Sequence, residues 1–266
     1  MAKQEVKNEI AVKTMAPPPA VYEPDNSKSI IDTADILIPR LLIVQNGSRA
    51  FSEGRAMPGD LYNSLTGSVV ADVKTDLPFI PIHMIKFWRR FEFVDGNKKW
   101  RGTVPFVEGV ELPREEMITG QDNKVTRWQN FKTLEVFGFT VEDAGDPTSL
   151  PSVISFSSTQ YENGRKFSTH FGRIQMANKT ANTKIPPYAY KLLLTRQKTT
   201  KDSKTWYKLD VINLFENGKP AQTPPEFLSK LQHWTEFVSS SSVKVDNNNN
   251  EDTASNGAEI VIPEGF

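Results

Sequence analysis

The stretch LPFIPIHMIKFWRRFEFV, residues 77–94, is aliphatic at its start and aromatic and basic at its end, and DGN at 95–97 follows it with turn chemistry. It reads as a long strand entering a hairpin. Outward from it, ILIPRLLIV (36–44), GSVVADV (67–73), TLEVFGFTVE (133–142), PSVISFSS (151–158), YAYKLLLT (188–195) and TWYKLDVINLF (205–215) are further runs rich in Val, Ile, Phe and Thr. Breakers lie between them: MPGD at 57–60, ENG at 162–164 and ENGKP at 216–220. Several strands joined by hairpins predict a mainly β domain with minor α, built as a barrel or sandwich.

One helix is well marked. Thr223 is placed to cap it, Pro224 and Pro225 suit a first turn, and Phe227, Leu231, Trp234 and Val238 recur at helical spacing. A shorter helical piece is expected around His170–Lys179, stopped by Pro186 and Pro187. Residues 1–30 are polar and broken by prolines, so they read as a flexible arm. Residues 239–266, with the Ser/Asn-rich SSSSVKVDNNNNEDTASNGA, read as a disordered acidic tail. That leaves residues 31–238 as the β domain. With 266 residues and 38% hydrophobic content the chain can bury a sizeable core. No run of about 18 apolar residues occurs and the N-terminus has no apolar signal core, so no membrane partner and a cytoplasmic location are expected. The absence of cysteine excludes disulfides, thiolate zinc sites and cysteine nucleophiles.

Charge is distributed unevenly. The formal net charge is zero, yet residues 164–208 carry eleven basic residues against Asp202 alone, so the remainder of the chain is acidic by ten. These cations are Arg165, Lys166, Arg173, Lys179, Lys184, Lys191, Arg196, Lys198, Lys201, Lys204 and Lys208. A second patch, KFWRRFEFVDGNKKWR (86–101), mixes Lys86, Arg89, Arg90, Lys98, Lys99 and Arg101 with Phe87, Trp88, Phe91, Phe93 and Trp100. Cations neutralise phosphates and release counterions, and aromatic faces accept unstacked bases, which suits a single strand better than a duplex. The candidate DNA-binding set is therefore Lys86, Trp88, Arg89, Arg90, Trp100, Arg165, Lys166, Lys191, Arg196, Lys198, Lys201, Lys204, Trp206 and Lys208. Strand alternation splits the 188–211 hairpin: Trp206 and Lys208 are expected on the ligand side with Lys191, and Tyr207 in the core with Leu209 and Val211.

Other chemistries find little support. His83, His170 and His233 sit in no metal-binding spacing, and no phosphate-cradling glycine loop occurs. Glu142, Asp143 and Asp146 lie in VEDAGDP, which reads as a solvated turn before it reads as a magnesium site. Neither catalysis nor a cofactor is expected.

IPRLLIVQNGS (38–48), EGRAMPGDLYNSLTGSVV (53–70), the aromatic-basic IHMIKFWRRFEF (82–93), SVISFSSTQ (152–160) and the Y-x-L … K-x-W-Y hairpin (190–207) together resemble the replication single-stranded DNA-binding proteins of lytic podoviruses and related crAss-like phages. The resemblance implies an OB-like β core that coats single-stranded DNA in phage replication and recombination, in the host cytoplasm. It also implies protein partners: replication or recombination proteins and, in some such phages, host RNA polymerase, contacted through the C-terminal end to activate late transcription. Here that end carries Glu259, Pro263, Glu264 and Phe266 but no dense aspartate run. The alternative is a virion or assembly protein whose basic hairpin binds the acidic surface of a protein partner.

Overall fold

A computed structural model describes residues 36–94, 97–119, 125–182, 185–201, 203–240 and 244–245. In chain order the strands are β1 (Leu37–Ile38), β2 (Leu41–Ile43), β3 (Leu61–Asn63), β4 (Val69–Ala71), β5 (Leu77–Val94), β6 (Asn97–Pro105), β7 (Glu115–Thr119), β8 (Val125–Thr140), β9 (Ser152–Ser157), β10 (Leu192–Lys201), β11 (Lys204–Asn213), β12 (Phe215–Glu216), β13 (Lys219–Pro220) and β14 (Lys244–Val245). The helices are α1 (Arg49–Ser52), α2 (Val141–Gly145), α3 (Tyr161–Ala181) and α4 (Leu228–Ser240). The fold is mainly β, with antiparallel sheets and a C-terminal helix. No helix among the described residues is long and apolar enough to cross a membrane.

The opening stretch is the axis of the main sheet. β5 pairs with β8 from Phe79↔Thr140 to Phe93↔Arg127, and the sheet order is β11-β10-β5-β8-β7, with β6 added to β5 and β9 to β8. Gly138 permits the tight crossing of β5 and β8, since a Cβ there would lie 2.4 Å from the Ile80 carbonyl oxygen. Between β9 and β11 the small sheet β2-β3-β4 is interposed: Arg40 bridges to Val153, and the Gln45 side chain bonds the Tyr207 backbone.

Two cores lie on opposite faces of β5 and β8. One, with Leu41, Leu61, Phe79, Leu134, Val136, Ile154, Leu194 and Leu209, is enclosed by strands and closed by Phe167 of α3. The other packs Ile80, Ile82, Phe137 and Phe139 against Leu231 and Val238 of α4. The expected helical stripe therefore faces the sheet, with Phe227 and Trp234 partly buried beside it.

Four local expectations are corrected. ENG 162–164 is no turn: it lies in the first turn of the 21-residue α3, where a Cβ on Gly164 would meet the Phe156 side chain at 2.6 Å. Close packing, not chain reversal, explains that glycine. Thr223 does not cap α4; its hydroxyl donates to the Tyr188 carbonyl at 2.7 Å, and a 3-10 turn, Pro225–Phe227, leads into the helix. The run from Tyr188 is not strand at its start, because Pro187 opens a 3-10 turn, Pro187–Ala189, and β10 begins at Leu192. Within the expected tail, Lys244–Val245 pairs in parallel with Leu37–Ile38, and Val245 is buried in the α4-side core.

Candidate nucleic-acid interface

Beyond residue 86 the paired strands outrun both cores. There β6 and β7 join them to form a four-stranded antiparallel extension in the order β6-β5-β8-β7. Residues directly opposite across an antiparallel pair share a face. One face carries Trp88 with Lys132, Arg90 with Asn130, and Glu92 with Trp128. The connection 106–114 is tied to this face: Glu111 pairs with Lys132, whose ammonium lies 4.4 Å from the Phe106 ring centre, and Asn130 donates to the Pro113 carbonyl at 2.8 Å. Trp88 is consequently 5% exposed and cannot act as a stacking platform, which corrects the expectation.

Most cations of this patch are also engaged. Arg90 donates to Glu116 at 2.8 Å and lies over the Trp128 ring at 4.7 Å. Arg101 pairs with Glu92. Arg89 donates at 2.9 Å to Glu135, which also receives Arg40 at 2.9 Å and the Ser155 hydroxyl at 2.6 Å. Glu135 is fully buried; burial alone would raise its pKa, but Arg40 and Arg89 outweigh it and hold the carboxyl below its usual value. Arg89 is thus part of a buried ion cluster at the root of the extension rather than a phosphate contact. Lys86 remains exposed.

The other face of the extension holds Phe91, Phe93, Trp100 and Phe131, all half-buried. Phe91 and Phe131 meet edge to face at 5.7 Å, Lys98 lies 4.1 and 4.2 Å from their ring centres, and Arg127 lies 4.9 Å from that of Phe93. Of these four aromatics the sequence-derived set held only Trp100. Phe131 and Arg127 come from residues 125–132, VTRWQNFK, whose apolar residues fall three apart and so give no strand signal.

The β10–β11 hairpin is built differently. Its register, Leu194↔Val211 through Lys201↔Lys204, places Leu192, Leu194, Leu209 and Val211 in the core. Tyr207 lies on that side, its ring so close to Gly59 that a Cβ there would approach it to 2.8 Å. Trp206 and Lys208 lie on the opposite side, with the Lys208 ammonium 5.9 Å from the indole centre. Lys198, Lys201 and Lys204 are exposed, and these three with Lys208 pair with no carboxylate among the described residues. Because β10 pairs with β5 only at Leu77–Phe79 and runs antiparallel to it, the hairpin tip and the extension leave the sheet at opposite ends of β5.

Two expected contacts in this region are corrected. The Arg196 guanidinium donates to the carbonyls of Asp72 and Thr75, clamping the turn after β4 onto β10. Lys191 lies at the hairpin root, 13% exposed and bonded to Glu216 at 2.7 Å, far from Trp206. On α3, Arg165 pairs with Glu162 and Lys166 with Asp210, both still substantially exposed. Asp143 belongs to the first turn of α2, where Thr140 accepts from its backbone N–H and donates to its carboxylate. Glu259, Pro263, Glu264 and Phe266 lie outside the described residues.

Side-chain amides bond part of the outer edge of β11. Gln45 accepts from the Tyr207 N–H at 2.9 Å and donates to its carbonyl at 2.8 Å. Asn46 donates to the Thr205 carbonyl at 3.2 Å and Asn163 to that of Leu209 at 2.8 Å.

Comparison with known families places the chain among phage proteins: residues 12–243 match the Pam3 phage gp34-like protein family. The chain belongs to that family. No curated protein and no solved structure matches it.

Proposed function

We propose that this phage protein is a non-catalytic, sequence-independent single-stranded DNA-binding protein acting in phage DNA replication and recombination. The observation that carries the proposal is the β10–β11 hairpin, where Lys201, Lys204 and Lys208 share a face with the half-buried Trp206, Lys198 stands on the Tyr207 side, and all four lysines pair with no carboxylate among the described residues. Cations next to an accessible aromatic, on a strand surface, are what an unpaired strand can use for phosphate neutralisation and base stacking. The order of elements supports the reading. β5, β8 and β9 pair consecutively, α3 follows, and β10–β11 returns so that β10 pairs with β5. In an OB-like barrel of that order, the connections between strands one and two and between strands four and five bind oligonucleotides. Here those connections are the aromatic extension and the lysine hairpin. The replication setting comes from the resemblance of the 38–48, 53–70, 152–160 and 190–207 motifs.

Titration with oligo-dT and a matched duplex across salt tests the reading. The expected result is a preference for the single strand, with an affinity that falls with salt at a slope of about −0.7 per phosphate contacted. A preference for duplex, or a flat salt response, refutes it. A stable large oligomer with no oligonucleotide binding at low salt would instead favour the assembly-protein alternative.

A further inference from the structure

α3 and the root of the β10–β11 hairpin enclose a groove of about 420 Å³. Its helix wall presents Lys166, His170 and Arg173, four and seven residues along one side of α3; Asn213 and Phe215 stand opposite, over Leu192. Two features of this groove are unspent. Arg173 is exposed and pairs with no carboxylate among the described residues, while Lys166 shares its charge with Asp210. Phe215 is 58% exposed. A ligand matching the groove brings an anion for Arg173 and a flat apolar surface for Phe215. A nucleotide has both, in its phosphate and its base plane.

We infer that this groove seats one nucleotide of a bound single strand, with the phosphate on Arg173 and the base against Phe215. The inference deepens the function proposed above and rests on it. The seat is a separate contact from the hairpin tip, because Leu192↔Asn213 and Lys201↔Lys204 are nine pairs apart, about 30 Å along the strands.

The test uses the full chain, oligo-dT, the dinucleotide pTpT and inorganic phosphate as probes, and three variants: Phe215→Ala, Arg173→Glu, and Lys201→Glu with Lys204→Glu. All substituted side chains are exposed, and circular dichroism checks that each variant folds. Phe215→Ala and Arg173→Glu should each weaken oligo-dT binding by about fivefold or more. In ¹⁵N spectra pTpT should shift the amides of Thr169 and Ile212, with the shifts lost in Arg173→Glu and kept in the hairpin variant. If both groove variants bind oligo-dT like the parent and pTpT moves no groove amide, the seat is refuted while the single-strand reading stands. Identical shifts from inorganic phosphate would refute the base assignment. If the parent chain binds no oligo-dT, the single-strand reading fails. The pTpT spectra then decide separately: groove shifts keep a nucleotide site, and their absence refutes it.

Discussion

The two basic regions of this chain look alike in sequence and differ in what their cations touch. In the 86–101 patch, Arg89, Arg90 and Arg101 are held by Glu135, Glu116 and Glu92. In the β10–β11 hairpin, Lys198, Lys201, Lys204 and Lys208 pair with no carboxylate among the described residues. A local charge count cannot separate them, because Glu116 and Glu135 come from β7 and β8, outside the patch. What distinguishes a ligand surface from a structural ion network is the three-dimensional position of the carboxylates.

The sharpest way to break this contrast is Glu135→Ala, which leaves the Arg40 and Arg89 guanidiniums at a buried site without their carboxylate. A stability loss of about 3–5 kcal/mol is expected in urea unfolding. A loss under about 0.5 kcal/mol would mean that the cluster is not structural. Next comes Trp206→Ala, expected to weaken oligo-dT binding by about 1–3 kcal/mol with little change in the unfolding midpoint. Unchanged affinity would remove the indole from the binding surface. Lys201→Ala with Lys204→Ala should lower the magnitude of the salt slope by about 1.4, at about 0.7 for each lost phosphate contact, whereas Arg101→Ala should leave the slope unchanged. Equal slopes for both variants would erase the distinction between the regions.

A separate expected effect is acid sensitivity at His170. Burial, reinforced by Arg173, lowers its pKa from 6.5 to about 4. Between those values the unfolded chain binds a proton that the folded chain refuses. The resulting stability is fully present above about pH 6.5 and is lost as pH falls toward 4. His170→Gln should flatten the dependence of the unfolding free energy on pH across that window, and an unchanged slope would show that another group titrates there.

Period-two alternation in the hairpin was legible in the sequence, since it placed Trp206 and Tyr207 on opposite sides before any register was known. So was the stripe of α4, where one face of a helix meets one core. The extension was less legible. Its strands mix charged and aromatic residues on both faces, since one face packs against the 106–114 connection and the other carries half-buried aromatics, so no simple hydrophobic alternation marks β6, β7 or the start of β8. Glycine was ambiguous for a physical reason: Gly59 has a φ of +97° in a turn, while Gly164 makes room for a neighbouring ring inside a helix. Arg196 was misleading because its partners are backbone carbonyls more than 100 residues away, at Asp72 and Thr75.

The amides of Gln45, Asn46 and Asn163 that occupy the outer side of β11 have a consequence for assembly. An edge strand with free N–H and C=O groups is a template for another chain, and long exposed edges lead to β-augmentation or aggregation. Here the carbonyls of Thr205, Tyr207 and Leu209 and the N–H of Tyr207 already have side-chain partners. The β11 side of the hairpin thus withholds these groups from a neighbouring copy while its lysines project into solvent.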